Sequence, residues 1–302
     1  MILSILNAVL VMLLAPLVLG VINRTKAIAA GRTGQPLLQV YYDVAKLLRK
    51  RTVVSGTTTW VFFAGPAVSV GTAVAATLFL PLGKHASIIS FAGDMIFFIY
   101  LFALARFFVA AAAMDTGSAF EGMGASREVT FSALAEPALF FGLLALARLS
   151  GSLVLSEMLD VGKSGAWEKA SASVVLIVVS WFIILLAENS RVPFDDPNTH
   201  LELTMIHEVM VLDHGGPAFG FILYGAALKL TLFCALLAAL ILPFGAANPL
   251  LDTAVSVAGI LVIGIAIGLV ESSMARLRLV RIPQLLITAT LLTAFAVVLL
   301  LR

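Results

Sequence analysis

Charge is scarce in this 302-residue chain: Asp, Glu, Lys and Arg make up 12% of it, whereas hydrophobic residues make up 61%. Soluble domains carry about 25% charged residues. A water-soluble fold of this composition lacks the polar residues to cover its surface, so the composition indicates a protein whose solvent is the lipid bilayer. The net charge of +2 is also too small to suggest nucleic acid as a partner.

Cysteine is almost absent, because the only one is Cys234, inside an apolar run. A disulfide within the chain and a cysteine metal site are therefore excluded. The sequence also lacks a Ser-His-Asp signature, a phosphate-binding glycine loop and a dinucleotide fingerprint. The glycine-rich GRTGQP at 31–36 does not connect a strand to a helix, so we interpret it as a turn. We expect no catalytic residue, metal or cofactor in this chain.

Long apolar runs are plentiful, and a transmembrane helix needs about 20 apolar residues. These runs are too long and continuous for barrel strands. We predict an all-α integral membrane protein, one polytopic domain over residues 1–302 with about eight transmembrane helices and short amphipathic cytoplasmic helices. The first run lacks a basic start and a cleavage site, so we expect it to be retained as a helix. The candidate spans are 2–22, 60–82, 90–114, 129–150, 171–188, 219–243, 251–271 and 283–301.

Lysine and arginine are concentrated in the connections at about 23–59, 115–128, 189–218 and 272–282. Cytoplasmic loops of membrane proteins carry an excess of these residues. We therefore predict that these four connections are cytoplasmic and that both termini lie outside.

Titratable residues gather in one of these loops, AENSRVPFDDPNTHLELTMIHEVMVLDHGG at 187–216, which holds three of the four histidines. Residues 195–212 predict a short amphipathic helix, capped by Asp195 or Asp196, with Pro197 in its first turn. Leu201, Met205, Val209 and Leu212 would form its apolar stripe.

The histidines of this loop do not predict a metal site. His200, His207 and His214 are seven residues apart, so each helical step rises about 10.5 Å and the three cannot share one zinc ion. A histidine beside a carboxylate titrates near neutral pH and can pass protons. A helix that presents its polar face to a partner protein explains the same pattern, and the two interpretations are compatible.

Three ionisable residues lie inside predicted spans, where charge is costly and usually faces the bundle interior. Arg106 and Glu136 lie at a depth of about 10–12 Å on neighbouring antiparallel helices, so we predict that they pair, and Lys229 lies at about 15 Å. The group is either a proton relay or a structural ion pair. Asp94 and Asp252 are expected to be solvated at the outer surface. Glu188 and Glu271 lie at inner helix ends, where a structural role and a functional role both stay open.

Three segments resemble one family, in the expected order along the chain. AENSRVPFDDP resembles the E-x-x-R-x-P-F-D loop of the membrane subunit that borders the quinone chamber of respiratory complex I. GQPLLQVYYDVAKLLRK resembles the first cytoplasmic loop of that subunit, and SREVTFSALAEPAL resembles its third loop and fourth helix. The continuation NTHLELTMIHEVMVLDHGGP resembles the membrane-anchor subunits of formate hydrogenlyase and of hydrogenase-4 type membrane-bound [NiFe] hydrogenases.

The resemblance implies an oxidoreductase complex in a bacterial or archaeal cytoplasmic membrane. The partners would be a hydrogenase large subunit with the [NiFe] centre, a small subunit with iron–sulfur clusters, antiporter-like membrane subunits and lipids. This chain would dock the hydrophilic arm and link its electron transfer to proton or sodium movement. LDHGG and LRKR depart from the complex I pattern and weaken the case for quinone binding.

The predicted site residues form two groups. The proton relay or coupling group is Arg106, Glu136, Lys229, Glu188, Asp195, Asp196, Glu202, His207, Glu208 and Asp213. The partner-docking group, mainly implied by the resemblance, is Gln35, Pro36, Asp43, Lys46, Arg127, Arg191, Pro193, Phe194 and His200.

Two other functions stay open. A quinone-chamber subunit of an NADH:quinone oxidoreductase would work beside an NADH-oxidising module. A free-standing transporter would be active without a partner, and transporters often carry inverted repeats, which we do not find here.

Overall fold

The helices pack as a bundle in the computed structural model, which describes residues 2–83, 87–160, 165–196, 205–242 and 248–301. Within these ranges the regular structure is helical, without strands, and eight of the helices are long and apolar enough to cross a membrane. The all-α prediction is therefore confirmed. The helices are α1 Ile2–Ala29, α2 Gln39–Leu48, α3 Trp60–Thr77, α4 Asp94–Asp115, α5 Ala119–Ser150, α6 Leu155–Met158, α7 Ala166–Glu188, α8 Gly216–Ile241, α9 Pro249–Ser273 and α10 Ile282–Leu300.

Local sequence explains several helix ends. Thr59 caps α3 with its hydroxyl, which accepts from Val61 N at 3.3 Å. Asn248 caps α9 in the same way, with Pro249 in the first helical position. Pro16 lies inside α1 and lacks an N–H, which frees the carbonyl of Met12. The hydroxyl of Tyr224 on α8 donates to that carbonyl at 3.0 Å, so the proline also ties two spans together.

Most of the residues that we predicted to form a loop at 115–128 are helical instead, because α5 begins at Ala119. The first three turns of α5 are more polar than a membrane span, so they do not form part of an apolar run in the sequence. Arg127 therefore lies on a helix rather than in a loop. The 23–59 connection is likewise shortened, because α1 continues to Ala29 and α2 occupies part of the remainder.

The amphipathic helix predicted at 195–212 is not continuous in the described residues. A 3-10 turn, Glu208–Val211, is its only regular part there. Of the predicted apolar stripe, Met205 and Val209 are buried, but Leu212 is half exposed. Pro197, His200, Leu201 and Glu202 lie outside the described residues.

Two acidic residues at the other end of the bundle are buried rather than solvated. Asp94 is 0% exposed, and its Oδ1 accepts from Leu155 N at 2.7 Å. Asp252 is also buried. Asp94 ties the start of α4 to α6, a contact between distant segments that no local pattern shows.

The four basic connections meet at one end of the bundle. Thr59 N donates to Asp115 at 2.6 Å, and Thr52 donates to the carbonyl of Gly215 at 3.2 Å. Leu277 N donates to the carbonyl of Pro193 at 2.9 Å. These contacts agree with the sequence prediction that the four connections share one side of the membrane.

Candidate functional site

Glu188, the last residue of α7, is the centre of a buried ionic group. Arg106 Nη2 donates to both of its carboxylate oxygens, at 2.9 and 2.8 Å. Lys229 Nζ donates to the same carboxylate at 2.7 Å and to the backbone carbonyl of Glu188 at 2.6 Å. The Glu188 side chain is 1% exposed, so these cations replace the water that it has lost. The sequence placed Glu188 at a helix end but did not predict its partners.

Arg106 also holds the carboxylate of Glu136, through Nη1 at 2.8 Å. The ion pair predicted from helix depth is therefore present. We call Arg106, Glu136, Glu188 and Lys229 the cavity network. Its two cations and two carboxylates balance in formal charge, as expected for ionisable groups inside membrane spans.

Aromatic rings complete the surroundings of the lysine. Lys229 Nζ lies 6.0 Å from the ring centroids of both Phe102 and Phe233. A cation at this distance over an aromatic face is attracted by the ring quadrupole. The network thus joins α4, α5, α7 and α8 at one level of the bundle.

A cavity with both polar and apolar walls opens beside this network. The centre of a water molecule can occupy about 70 Å³ of it, which is enough for several waters. Its polar lining includes Glu128, Asn189, Ser190 and His207 as well as the network itself. Asn189 Oδ1 is buried and has no hydrogen-bond partner among the described residues, so it is free to bind a water molecule.

Glu128 is the functional candidate that the sequence analysis missed. It is 8% exposed and lines the cavity, yet in the described part of the chain its carboxylate makes no hydrogen bond or ion pair. Arg106 and His207 are close enough to feel its charge. The missed signal is helical spacing: once α5 begins at Ala119, Glu128 and Glu136 lie about two turns apart.

A further buried carboxylate, Glu121, fixes the start of α5. It accepts from the hydroxyl of Thr116 and from the backbone N–H of Asp213, the latter at 2.9 Å. Both donors, a hydroxyl and a backbone N–H, are uncharged groups. Glu121 ties the end of the 205–215 segment to α5 and stays outside the cavity lining.

A second ionic group lies at the helix ends. Lys26 Nζ is 2.8 Å from Glu271, and Arg191 Nη1 is 3.4 Å from the same carboxylate. Arg276 Nη2 is 2.9 Å from Asp195. We call these five residues the loop network. It connects α1 and α9 to the loop that follows α7.

Asp195 holds the two parts of that loop together. Its Oδ2 accepts from the backbone N–H groups of Ile206 and His207, at 2.9 and 3.2 Å. Arg127 Nη1 donates to the carbonyl of Met205 at 3.0 Å and secures the same segment to α5. These bonds place His207 at the cavity.

Both described loop histidines favour the neutral form. Burial lowers the pKa of His207, and the charges of Glu128 and Asp195 only partly oppose this. Burial also lowers the pKa of His214, whose ring stacks on Phe62 at 4.0 Å between centroids. Its Nε2 lies 3.2 Å from the carbonyl of Phe62, which anchors the loop to α3.

The predicted site residues differ in whether they line the cavity and in how exposed they are. Asp196, Glu208 and Asp213 lie outside the cavity lining, and Asp213 is exposed. Among the predicted docking residues, Gln35, Pro36 and Lys46 are exposed, Asp43 and Arg127 are half-buried, and Arg191, Pro193 and Phe194 are buried within the chain. Arg191, Pro193 and Phe194 cannot contact a partner directly, because the loop packs them against the bundle. They can contribute to docking only by holding the exposed part of the loop in place.

No group of three His, Cys, Asp or Glu side chains in the described ranges is placed to hold a metal ion.

Eight apolar helices around a paired ionic centre define a multi-pass membrane protein. A family profile described as NADH dehydrogenase matches residues 2–302, and the chain belongs to that family. It is 32% identical to formate hydrogenlyase subunit 4 of Escherichia coli K12, over 92% of each chain. It is also 32% identical to hydrogenase-4 component C of the same organism, over 89% of this chain and 86% of the other.

More distant relatives share part of the chain. A subunit of the NADH-quinone oxidoreductase of Rubrobacter xylanophilus is 29% identical over 55% of this chain and 51% of its own. A chain of the membrane-bound sulfane sulfur reductase, an archaeal respiratory membrane complex, superposes with a TM-score of 0.79 over 98% of this chain and 99% of its own, at 23% identity. That likeness supports the fold.

Proposed function

We propose that this chain is the membrane-anchor and ion-coupling subunit of a membrane-bound [NiFe] hydrogenase or formate hydrogenlyase complex. The two relatives with 32% identity carry these names and match nearly the full chain. The observation that carries the coupling half of the proposal is the ionic network beside a cavity that Glu128 and His207 also line. The basic connections would face the cytoplasm, with both termini outside, in a bacterial or archaeal cytoplasmic membrane.

The hydrophilic arm would dock on the end of the bundle where the four basic connections meet. Gln35 and Pro36 are exposed there, and Val53, in the connection between α2 and α3, is a large apolar side chain that is 87% exposed. Apolar surface of this kind outside the bilayer is suited to a partner protein. The [NiFe] centre and iron–sulfur clusters would belong to the large and small partner subunits, and antiporter-like subunits would pack beside this chain.

Coupling would use the carboxylates around the cavity. Arg106 and Lys229 already balance Glu136 and Glu188, so Glu128 is the carboxylate whose charge lacks a paired cation among the described residues. A proton from the cavity water can neutralise it without breaking an ion pair. His207 lies at the same cavity and can pass a proton in its neutral form.

Ser132 offers a path from Glu128 to the centre of the network. It lies one turn further along α5, is 6% exposed, and lines a small cavity shared with Glu128, Glu188 and Ser190. A change of charge on a docked partner would shift the position of the proton along the row formed by Glu128, Ser132 and Glu188. Redox chemistry outside the membrane would thereby alter the charge within it.

The docking half is tested by purifying the tagged chain in mild detergent and identifying its companions by mass spectrometry. We expect a nickel-carrying large subunit and iron–sulfur proteins. An NADH-oxidising flavoprotein with quinone-linked partners would instead indicate a complex I subunit. Ion transport by the isolated chain would indicate a free-standing transporter.

The coupling half is tested with Glu128→Gln, which removes a charge but keeps the shape of the side chain. We expect the complex to assemble and transfer electrons while it moves fewer ions per electron in proteoliposomes. Glu157→Gln, an exposed carboxylate beyond the opposite ends of the spans, is the matched control. An unchanged ratio in Glu128→Gln would contradict the assigned role.

A further inference from the structure

The interior of the bundle differs on the two sides of the cavity network. One side faces the end of the bundle where the four basic connections meet, which we call the basic end, and the other faces the opposite, far end. The cavity that Glu128, Ser190 and His207 line adjoins the network on one side. A second, smaller cavity also adjoins it, and Arg106 and Glu188 line both cavities. The network is therefore the wall between them.

Positions along α4 and α5 place the smaller cavity on the far side of the network. Both helices meet at the basic end, where α4 ends and α5 begins. Counted from that end, Phe98 lies eight residues beyond Arg106 on α4, and Leu143 lies seven residues beyond Glu136 on α5. At 1.5 Å per residue, both lining residues are about 10–12 Å farther from the basic end than the network.

The other two helices of the network agree with this placement. The segments that follow α7 and precede α8 contact other basic connections, so α7 ends and α8 begins at the basic end. Trp181 lies seven residues before Glu188 on α7, and Leu236 lies seven residues after Lys229 on α8. Both are about 10 Å farther from the basic end than the network. The smaller cavity is therefore the far cavity.

The far cavity is small and closely walled. The centre of a water molecule can occupy about 20 Å³ of it, which leaves room for about one molecule. Phe102 on α4 and Phe233 on α8 line it with ring centroids 5.4 Å apart. Trp181 lies directly against α5, because a Cβ on Gly142 would lie 2.2 Å from its indole nitrogen. The fully buried Leu155 of α6 completes the walls.

These walls offer little to hold a water molecule or to pass a proton. Among the described residues that line the far cavity, Trp181 carries the only polar side-chain atom outside the network. Buried water needs about two to four polar partners, and apolar cavities stay dry. A hydrophobic constriction that excludes water also interrupts the chain of hydrogen bonds that a proton follows.

We propose that Phe102, Leu139, Leu143, Trp181 and Phe233 form an apolar barrier, so that protons reach the cavity network from the basic end only. These side chains line the far cavity, and all five are buried. Protons that the network takes up do not cross to the far end through this chain. The proposal rests on the proposed coupling function, in which the network exchanges protons, and it names the side from which they enter.

The test measures passive proton flow through the purified complex in liposomes, without an electron donor. A potassium gradient with valinomycin drives the protons, and a pH-sensitive dye inside the liposomes records them. Leu143→Gln places a side chain that binds water in the far cavity. We expect proton flow to rise about tenfold, because one hydrogen bond to water changes an equilibrium by roughly that factor. Leu144→Gln is the control and should keep the wild-type rate, because Leu144 is 50% exposed and does not line the cavity.

An unchanged rate in Leu143→Gln, or an equal rise in Leu144→Gln, would overturn the proposal. If Leu143→Gln does not assemble, Leu236→Gln tests the barrier from α8, and the same rise is expected. A further comparison needs no polar substitution in the barrier: passive flow should be equal in the wild type and in Glu136→Gln. A lower flow in Glu136→Gln would show that protons already cross the chain through the network.

Failure of the barrier and failure of the coupling function give different results. The barrier is tested by passive flow alone, whereas coupling is tested by the ions moved per electron during electron transfer. An unchanged ratio in Glu128→Gln would contradict coupling while the passive rates still reported on the barrier.

Discussion

The cavity network and the loop network are alike in burial but differ in their surroundings. Glu188 and Glu271 are the central carboxylates, each held by two cations, with side chains 1% and 0% exposed. Glu188 faces a cavity that has room for several water molecules, whereas Glu271 joins helix ends to a loop. Both carboxylates are paired with cations because they are buried, and Glu188 also lines a cavity that can hold water.

The largest difference between the networks is expected in stability. Glu188→Leu leaves Lys229 inside the spans without a paired counter-charge and leaves Arg106 with Glu136 as its paired carboxylate, and we expect it to lower the free energy of unfolding by about 3–5 kcal/mol. Glu271→Leu should cost less, because Lys26 lies at a helix end and can turn toward water. Unfolding in mixed detergent micelles measures both. Equal losses in the free energy of unfolding would show that the two sites exclude water to the same extent.

The segment that connects the networks, residues 205–211, is tested through two glycines of α5. A Cβ on Gly124 would lie 2.3 Å from Val209 Cγ1 and 3.0 Å from the carbonyl oxygen of Ile206. We expect Gly124→Ala to lower stability by about 1–3 kcal/mol and to speed hydrogen exchange in this segment. Gly122→Ala is the control, because no other segment among the described residues comes within 4 Å of a Cβ at this position and alanine favours a helix. The same exchange in both variants would mean that the segment does not depend on this contact.

The smallest expected effect is the pH dependence contributed by His207 and His214. Their pKa values lie below the ordinary 6.5 in the folded state, so the unfolded chain binds more protons as the pH falls below about 6.5. Stability should therefore decrease between pH 7 and 5.5, by at most about 1.4 kcal/mol per pH unit for each histidine. His207→Gln/His214→Gln should flatten that slope in detergent unfolding curves. If the substitutions did not change the slope of stability against pH, both histidines would have to be exposed to water.

The sequence predicts the spans, the shared side of the basic loops and the Arg106–Glu136 pair, because each follows from hydropathy or from depth along a helix. It does not predict that Glu188 lies between Arg106 and Lys229, since this depends on how α7 and α8 pack. Glu128 was missed because the polar start of α5 does not resemble a span. The roles proposed for these residues stay predictions, and so does docking through Gln35 and its neighbours.

The most direct measurement is the number of ions moved per electron by the purified complex in proteoliposomes, compared for Glu136→Gln and Glu271→Gln. Each substitution removes the charge of a paired carboxylate, one from each network. We predict that both complexes assemble and transfer electrons, that Glu136→Gln moves fewer ions per electron, and that Glu271→Gln keeps the wild-type ratio. A normal ratio in Glu136→Gln, or an equal fall in both variants, would contradict the assignment of coupling to the cavity network.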